Sequence, residues 1–234
     1  MKLAATGSSV IGPAHEQDSL PNQDAAMIRG IRGGWCIAVC DGLGSRALSH
    51  IGSRKAAQLV RTALRQQKPE SMPSSSMHRS QTIQQSWLDE FAENSSPYET
   101  TCLWAQVCSN GYGKAAQVGD GLLLVKANGV MQVVTPPRDG FGNQTQTLAQ
   151  AKDTDWTTTE FQLSRPGDGV LLMTDGISDD LIPDQLEGFF DAVYQRLKSS
   201  NKRRCKRWLT KELEDWSTPK HGDDKSIAGI FRTE

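Results

Sequence analysis

Apolar positions along the chain recur with two different periods. Ala56, Leu59, Val60, Ala63 and Leu64 fall at i, i+3, i+4, i+7 and i+8, the stripe of a helix that lays one face on a core. Ile83, Trp87, Leu88 and Phe91 repeat that pattern. Leu186, Phe189, Phe190, Val193, Tyr194 and Leu197 form the cleanest stripe, with Asp184 and Glu187 placed ahead of it as a capping box. Cys205, Trp208, Leu209, Leu213 and Trp216 predict a fourth helix. Short β-rich runs predict strands at Trp35–Cys40, Cys102–Ser109, Ala115–Val118, Leu122–Val125, Val130–Val134, Thr158–Leu163, Val170–Met173 and Ser226–Phe231. Asn128-Gly129 separates two of them by the two residues of a type I′ hairpin, so neighbouring strands pair antiparallel. The helices come in two sequence-local pairs and do not alternate with strands, which disfavours a doubly wound parallel sheet. The expected class is α+β: two antiparallel sheets sandwiched between helical pairs, a four-layer α/β/β/α order.

Composition narrows the function classes. The 234 residues carry 26 Lys+Arg against 27 Asp+Glu, and this balance gives no global field for nucleic acid or an anionic membrane. With 37% hydrophobic residues and 21 glycines a sizeable core can form, and a single domain spanning 1–234 is expected. No apolar run approaches the roughly 20 residues of a membrane span, and the Met1–Lys2–Leu3 start lacks the hydrophobic stretch of a secretory signal. Five cysteines (Cys36, Cys40, Cys102, Cys108, Cys205) without a C-x-x-C pair read as free thiols. The even spacing within Cys36/Cys40 and Cys102/Cys108 puts each pair on one face of a strand. A cytoplasmic location is the expectation. Pro69–Ser80 is Pro/Ser-rich and reads as a surface loop between helices.

The chemistry concentrates where strands end. Trp35–Cys40 runs into Asp41-Gly42-Leu43-Gly44, Ala115–Val118 into Gly119-Asp120-Gly121, and Val170–Met173 stops one residue before Asp175-Gly176. Asp223-Asp224 precedes the last strand. Asp-Gly by itself makes an ordinary turn. Were these ends to converge on one rim, the carboxylates would repel one another and raise their pKa values unless cations compensate. Oxygen donors without partnering His or Cys select Mg2+ or Mn2+ over Zn2+. Two such ions would suit hydrolysis of a phosphate ester.

Six segments in register carry a resemblance. GPAHEQDSLPNQDAA (12–26), AVCDGLGSRALSHIGSRKAA (38–57), ETTCLWAQV (99–107), QVGDGLLLV (117–125), LLMTDGISDDL (171–181) and GDDKSIAGIF (222–231) together resemble the bacterial metal-dependent Ser/Thr protein phosphatases of type 2C, in particular a divergent branch of that family. The resemblance implies an α/β/β/α sandwich and a reaction in which a hydroxide bridging two ions attacks phosphorus in line, without a phosphoenzyme. By position it implies that Asp41 bridges two Mn2+ or Mg2+ ions, with the Gly42 carbonyl on the second. Asp175 and Asp223 complete the shell of the first, and Asp24 holds metal-bound water. Asp120 matches an aspartate that helps bind a third, weaker ion. Four positions depart from the usual pattern: Gln23-Asp24 replaces Glu-Asp, His15 stands nearest the phosphate-clamping arginine, Leu43 replaces a common His, and Asp224 stands where Asn is common. His15 is expected to contact phosphate or to donate a proton to the leaving alkoxide. His50 and His78 are expected at the solvent side, as is His221, which could instead tune Asp223.

The expected activity is removal of phosphate from phosphoserine and phosphothreonine in proteins, opposing a Ser/Thr kinase, by a monomer. A catalytically weak binding module and a phosphatase of small phosphate esters are the alternatives. Arg196–Arg207 (RLKSSNKRRCKR) carries seven Lys/Arg and reads as a solvated helix face. Its sharper reading is a docking patch for acidic or phosphorylated protein, and nucleic acid is the weaker option. Arg138–Asp155 either borders the site as a lid or merely connects.

Overall fold

The computed structural model describes residues 1–65, 75–137, 145–216 and 222–234. In chain order the elements are β1 (Leu3–Val10), α1 (Pro13–Gln17), β2 (Ala25–Ile31), β3 (Gly34–Cys40), α2 (Ser49–Arg65), α3 (Ser76–Glu90), β4 (Cys102–Cys108), β5 (Tyr112–Val118), β6 (Leu122–Ala127), β7 (Val130–Val133), β8 (Thr157–Gln162), β9 (Gly169–Met173), α4 (Asp175–Ser178), α5 (Leu186–Ser199), α6 (Lys202–Glu214) and β10 (Lys225–Arg232). One sheet has the order β1-β10-β9-β6-β7 and the other β2-β3-β4-β5-β8, with every pairing antiparallel. The expected sandwich forms.

The two-residue period of the strands sorts side chains into three apolar layers. On β3, Cys36, Ala38 and Cys40 face α2 and α3, whereas Ile37 and Val39 face the opposite sheet. On β10, Ala228 and Ile230 point between the sheets, and Ile227 and Phe231 point to α5 and α6. Buried indoles fasten α3: Trp87 Nε1 donates to Gly52 O and Trp104 Nε1 to Ser80 Oγ, both at 3.1 Å. The β6–β7 turn has Asn128 and Gly129 at φ of 55° and 80°. Its two N–H groups donate to the buried Asp168 carboxylate, which also accepts from Ser164 N and Arg165 N.

Several expectations need correction. β1 and β2 carry no strand signal in the sequence. β1 (LAATGSSV) lies beneath α6 on Thr6 and Ser8, where Ser8 Oγ meets Thr210 Oγ1 at 2.6 Å, so small polar residues do the packing that apolar ones usually do. The Asp184–Glu187 capping box does not form. The chain enters α5 through a 3-10 turn at Pro183–Gln185, which puts Asp184 inside the turn and leaves Gln185 as the N-cap. Of the Pro69–Ser80 loop, residues 69–74 lie outside the described ones, and Ser76–Ser80 is helical. Ser75 caps α3 by accepting from His78 N, and Ser76 and Ser80 pack inward. All five cysteines are free, four buried and Cys108 half-buried at the end of β4. Among the described residues no helix is long and apolar enough to cross a membrane.

Candidate functional site

The carboxylates gather at one rim of the sandwich: antiparallel pairing puts the end of β9 beside the start of β10 in one sheet, and the packing of the two sheets brings the end of β3 to the same edge. Asp41 leaves β3 with its backbone tied to the next strand's entry: Asp41 N donates to Thr101 Oγ1 at 2.9 Å, and Thr101 N and Thr100 Oγ1 both donate to Asp41 O at 2.8 Å. Gly42 follows because nothing larger fits. A Cβ there would lie 2.8 Å from Gln23 O and from Ser49. Asp175 opens α4 directly after β9, and at Gly176 a Cβ would lie 2.1 Å from Asp224 O. That close approach presses α4 against the Asp223-Asp224 segment.

Two groups of donor atoms result, in each of which one ligand atom per residue lies within 4.8 Å of the others. One is Asp41, Asp120 and Asp175; the other is His15, Asp223 and Asp224. Asp223 thus sits with the second group, although its charge acts on both Asp41 and Asp175. Asp24 is deeper. Its Oδ2 accepts from Thr174 Oγ1 at 2.8 Å, and Thr174 Oγ1 in turn accepts from Ser226 N at 3.0 Å, so this carboxylate links the two sheets under the cluster. Asp120 Oδ2 accepts from Thr145 Oγ1 at 2.5 Å. Thr145 therefore borders the site. Leu148 is fully buried in the layer beneath α3, while 138–144 lie outside the described residues.

Burial is the first cause of an unusual set of acidities. It pushes Asp24 up to about 8, opposed by the Thr174 hydrogen bond and reinforced by the charges of Asp224 and Asp175. Burial, then the neighbouring charges of Asp24, Asp175, Asp223 and Asp120, holds Asp41 well above the carboxylate range. Asp175 is pushed up to about 6 by burial and by Asp120, Asp223 and Asp179. Buried oxygens that accept no hydrogen bond, Asp24 Oδ1 and Asp175 Oδ1, complete a donor set suited to hard divalent cations.

His15 lies on α1 with Nδ1 2.9 Å from Asp224 Oδ2. Asp224 is buried and also accepts from Gly12 N at 2.7 Å and Gln23 N at 2.5 Å. Thus the residue in place of a clamping arginine touches the residue in place of the usual Asn. Sequence reasoning left Asp224, Thr174 and Asp179 out of the site. Asp224 and Thr174 each adjoin a nominated aspartate, and that adjacency was the available signal. His78 is exposed as expected, but His50 is half-buried in α2, where burial lowers its pKa. His221 lies outside the described residues.

The sequence model of the protein phosphatase 2C family matches residues 11–215. The chain belongs to that family. No curated protein sequence matches it. Among solved structures, this phosphatase 2C family member is similar to one described as a bacterial serine phosphatase, at 15% identity and TM-score 0.72, over 100% of this chain and 99% of that one. It is also similar to serine/threonine phosphatase Stp1 from Staphylococcus aureus, at 16% identity and TM-score 0.71, over 100% and 96%. A third is the catalytic domain of serine threonine protein phosphatase PstP in complex with two manganese ions, at 16% identity and TM-score 0.65, over 99% of each chain. At such identities these structures show the shared fold.

Proposed function

We propose that this family member is a divalent-metal-dependent phosphatase that hydrolyses phosphoserine and phosphothreonine in proteins. The observation that carries the reading is the meeting of Asp41, Asp120 and Asp175, from three strand ends, with carboxylate oxygens within 4.8 Å of one another. Burial and mutual repulsion raise the pKa values of Asp41 and Asp175, the signature of a site built for cations. Family membership and the manganese held by the PstP domain support the same assignment.

Mn2+ or Mg2+ at this site would place positive charge on the phosphoryl oxygens and lower the pKa of the attacking water. Asp41 would hold both ions, with the Gly42 carbonyl available to the second. Asp175, joined by Asp223 from the neighbouring group, would help hold the first. Asp24 would act on coordinated water from further out, and Asp120, within the trio, would serve a third, weaker ion. His15, its ring oriented by Asp224, directs Nε2 to a phosphoryl oxygen or gives a proton to the departing serine oxygen. We read residues 1–234 as one catalytic domain, working as a cytoplasmic monomer opposite a Ser/Thr kinase.

The test is phosphate release from phosphoserine and phosphothreonine peptides, with p-nitrophenyl phosphate and nucleotides as comparison substrates. Turnover with Mn2+ that EDTA stops, and preference for phosphopeptides, is expected. Preferential turnover of nucleotides would redirect the reading to small phosphate esters, and absence of turnover with every substrate would end it.

A further inference from the structure

The candidate site accounts for none of the seven cations between Arg196 and Arg207. Arg196 and Lys198 end α5, and Lys202, Arg203, Arg204, Lys206 and Arg207 occupy the first two turns of α6. All seven are exposed, and among the described residues none forms an ion pair. The start of a helix is where cations are least favoured, because unpaired N–H groups leave partial positive charge there. The first turn of α6 holds no acidic residue to offset it. Lys202, Arg203 and Arg204 are therefore kept in the first turn, where local stability argues against them.

The run also borders a cleft. A cavity of about 450 Å³ opens between the start of β1, the start of β3 and the α5–α6 junction. Leu3, Leu197 and Trp35 give it apolar walls, and Lys198, Ser200 and Lys202 stand along one rim. Lys202 Nζ sits 4.8 Å from the centre of the Trp35 ring and Lys198 Nζ 5.7 Å from that of Tyr194, contacts that hold the ammonium groups in place and leave their charge unneutralised. The one acidic side chain lining the cleft, Glu234, is already paired with Lys2 at 2.9 Å on the opposite rim. Trp35 and Asp41 lie at opposite ends of β3, about 20 Å apart at the rise of an extended strand, so this surface is separate from the carboxylate cluster.

We propose that the cleft and the basic face of α6 dock an acidic protein segment, an extended stretch of Asp and Glu with one apolar side chain seated against Trp35 and Leu197. Charge complementarity selects the acidic partner, and the apolar walls select a polypeptide. A nucleic acid strand would need successive aromatic platforms, whereas the cleft is lined by a single ring. The docking proposal stands apart from the catalytic reading.

The test is calorimetric titration of the full chain with a synthetic Asp/Glu-rich peptide carrying one central Leu, at low and at high salt. The expected result is salt-sensitive binding that weakens about tenfold or more in Lys198→Glu/Lys202→Glu, while hydrolysis of p-nitrophenyl phosphate and the circular dichroism melt stay as in the parent. Should the charge reversal lower the melt, Lys198→Ala/Lys202→Ala serves in its place, with the same direction of change. Absence of peptide binding, equal binding by the variants, or tighter binding of a single-stranded oligonucleotide or a phosphatidylserine vesicle would overturn the proposal. Because binding is read by heat and not by turnover, a catalytically silent protein would leave this result interpretable.

Discussion

His15 Nδ1 and Asp224 Oδ2 stand 2.9 Å apart, although the two residues come from opposite ends of the chain. Asp224 holds the backbone of Gly12 and Gln23 as well, so one buried carboxylate meets the imidazole and anchors both ends of the segment that carries it.

That double duty separates two variants. Asp224→Ala strands two buried N–H groups and is expected to cost about 3 kcal/mol of stability in urea unfolding. His15→Ala removes a half-buried ring and should change stability by less than about 1 kcal/mol, while lowering kcat/KM for a phosphopeptide by about tenfold to a hundredfold. Equal loss of stability in both variants would mean that His15 is structural.

Asp175→Asn keeps the shape of the side chain and removes a charge that the proposed ions need. Turnover should fall by at least about a hundredfold, with the melting temperature of the metal-free chain unchanged or raised, since a repelling charge has gone. Parent-like turnover in this variant would remove Asp175 from the site.

The raised pKa values fix the pH dependence of the metal-free protein. Asp24 and Asp175 in the folded chain keep protons up to about 8 and about 6, whereas the unfolded chain releases them near the ordinary value of 3.8. Between those limits the folded state binds more protons, so its stability falls as pH rises. Unfolding in EDTA should therefore need less urea at pH 8 than at pH 5, and Mn2+ should stabilise more at pH 8. A metal-free stability that rises between these two values would contradict this sign.

Asp168 serves as a contrast, an aspartate that accepts four backbone N–H groups far from the rim. Asp168→Ala should destabilise by about 3 kcal/mol or more, measured by thermal or urea unfolding. The folded fraction should retain its metal affinity.

What the sequence made legible follows from where its physics is local. The β-rich runs of Trp35–Cys40 and Val170–Met173 and the Asn128-Gly129 turn announce strands through their own residues, and Asp-Gly marks where two of them stop. β1 escaped because the small polar Thr6 and Ser8 interrupt its face toward α6 between Ala4 and Val10, leaving no hydrophobic period to read. The entry to α5 was misread because Pro183 starts a tight turn one position before Asp184, and a capping motif cannot announce that. In the site, the aspartates were visible as residues next to strand ends. Their sorting into one trio and a second group around His15 depends on pairings between distant strands. The Asp24–Thr174 link between the sheets is of the same kind.

The most direct test of the account is calorimetric titration of Mn2+ into the metal-free chain and into Asp41→Asn. The account predicts about two ions bound by the parent, with proton release that grows as pH falls from 8 toward 6, and loss of at least one ion in the variant. A parent chain that takes up no Mn2+ at millimolar concentration, or a variant that binds as the parent does, would contradict it.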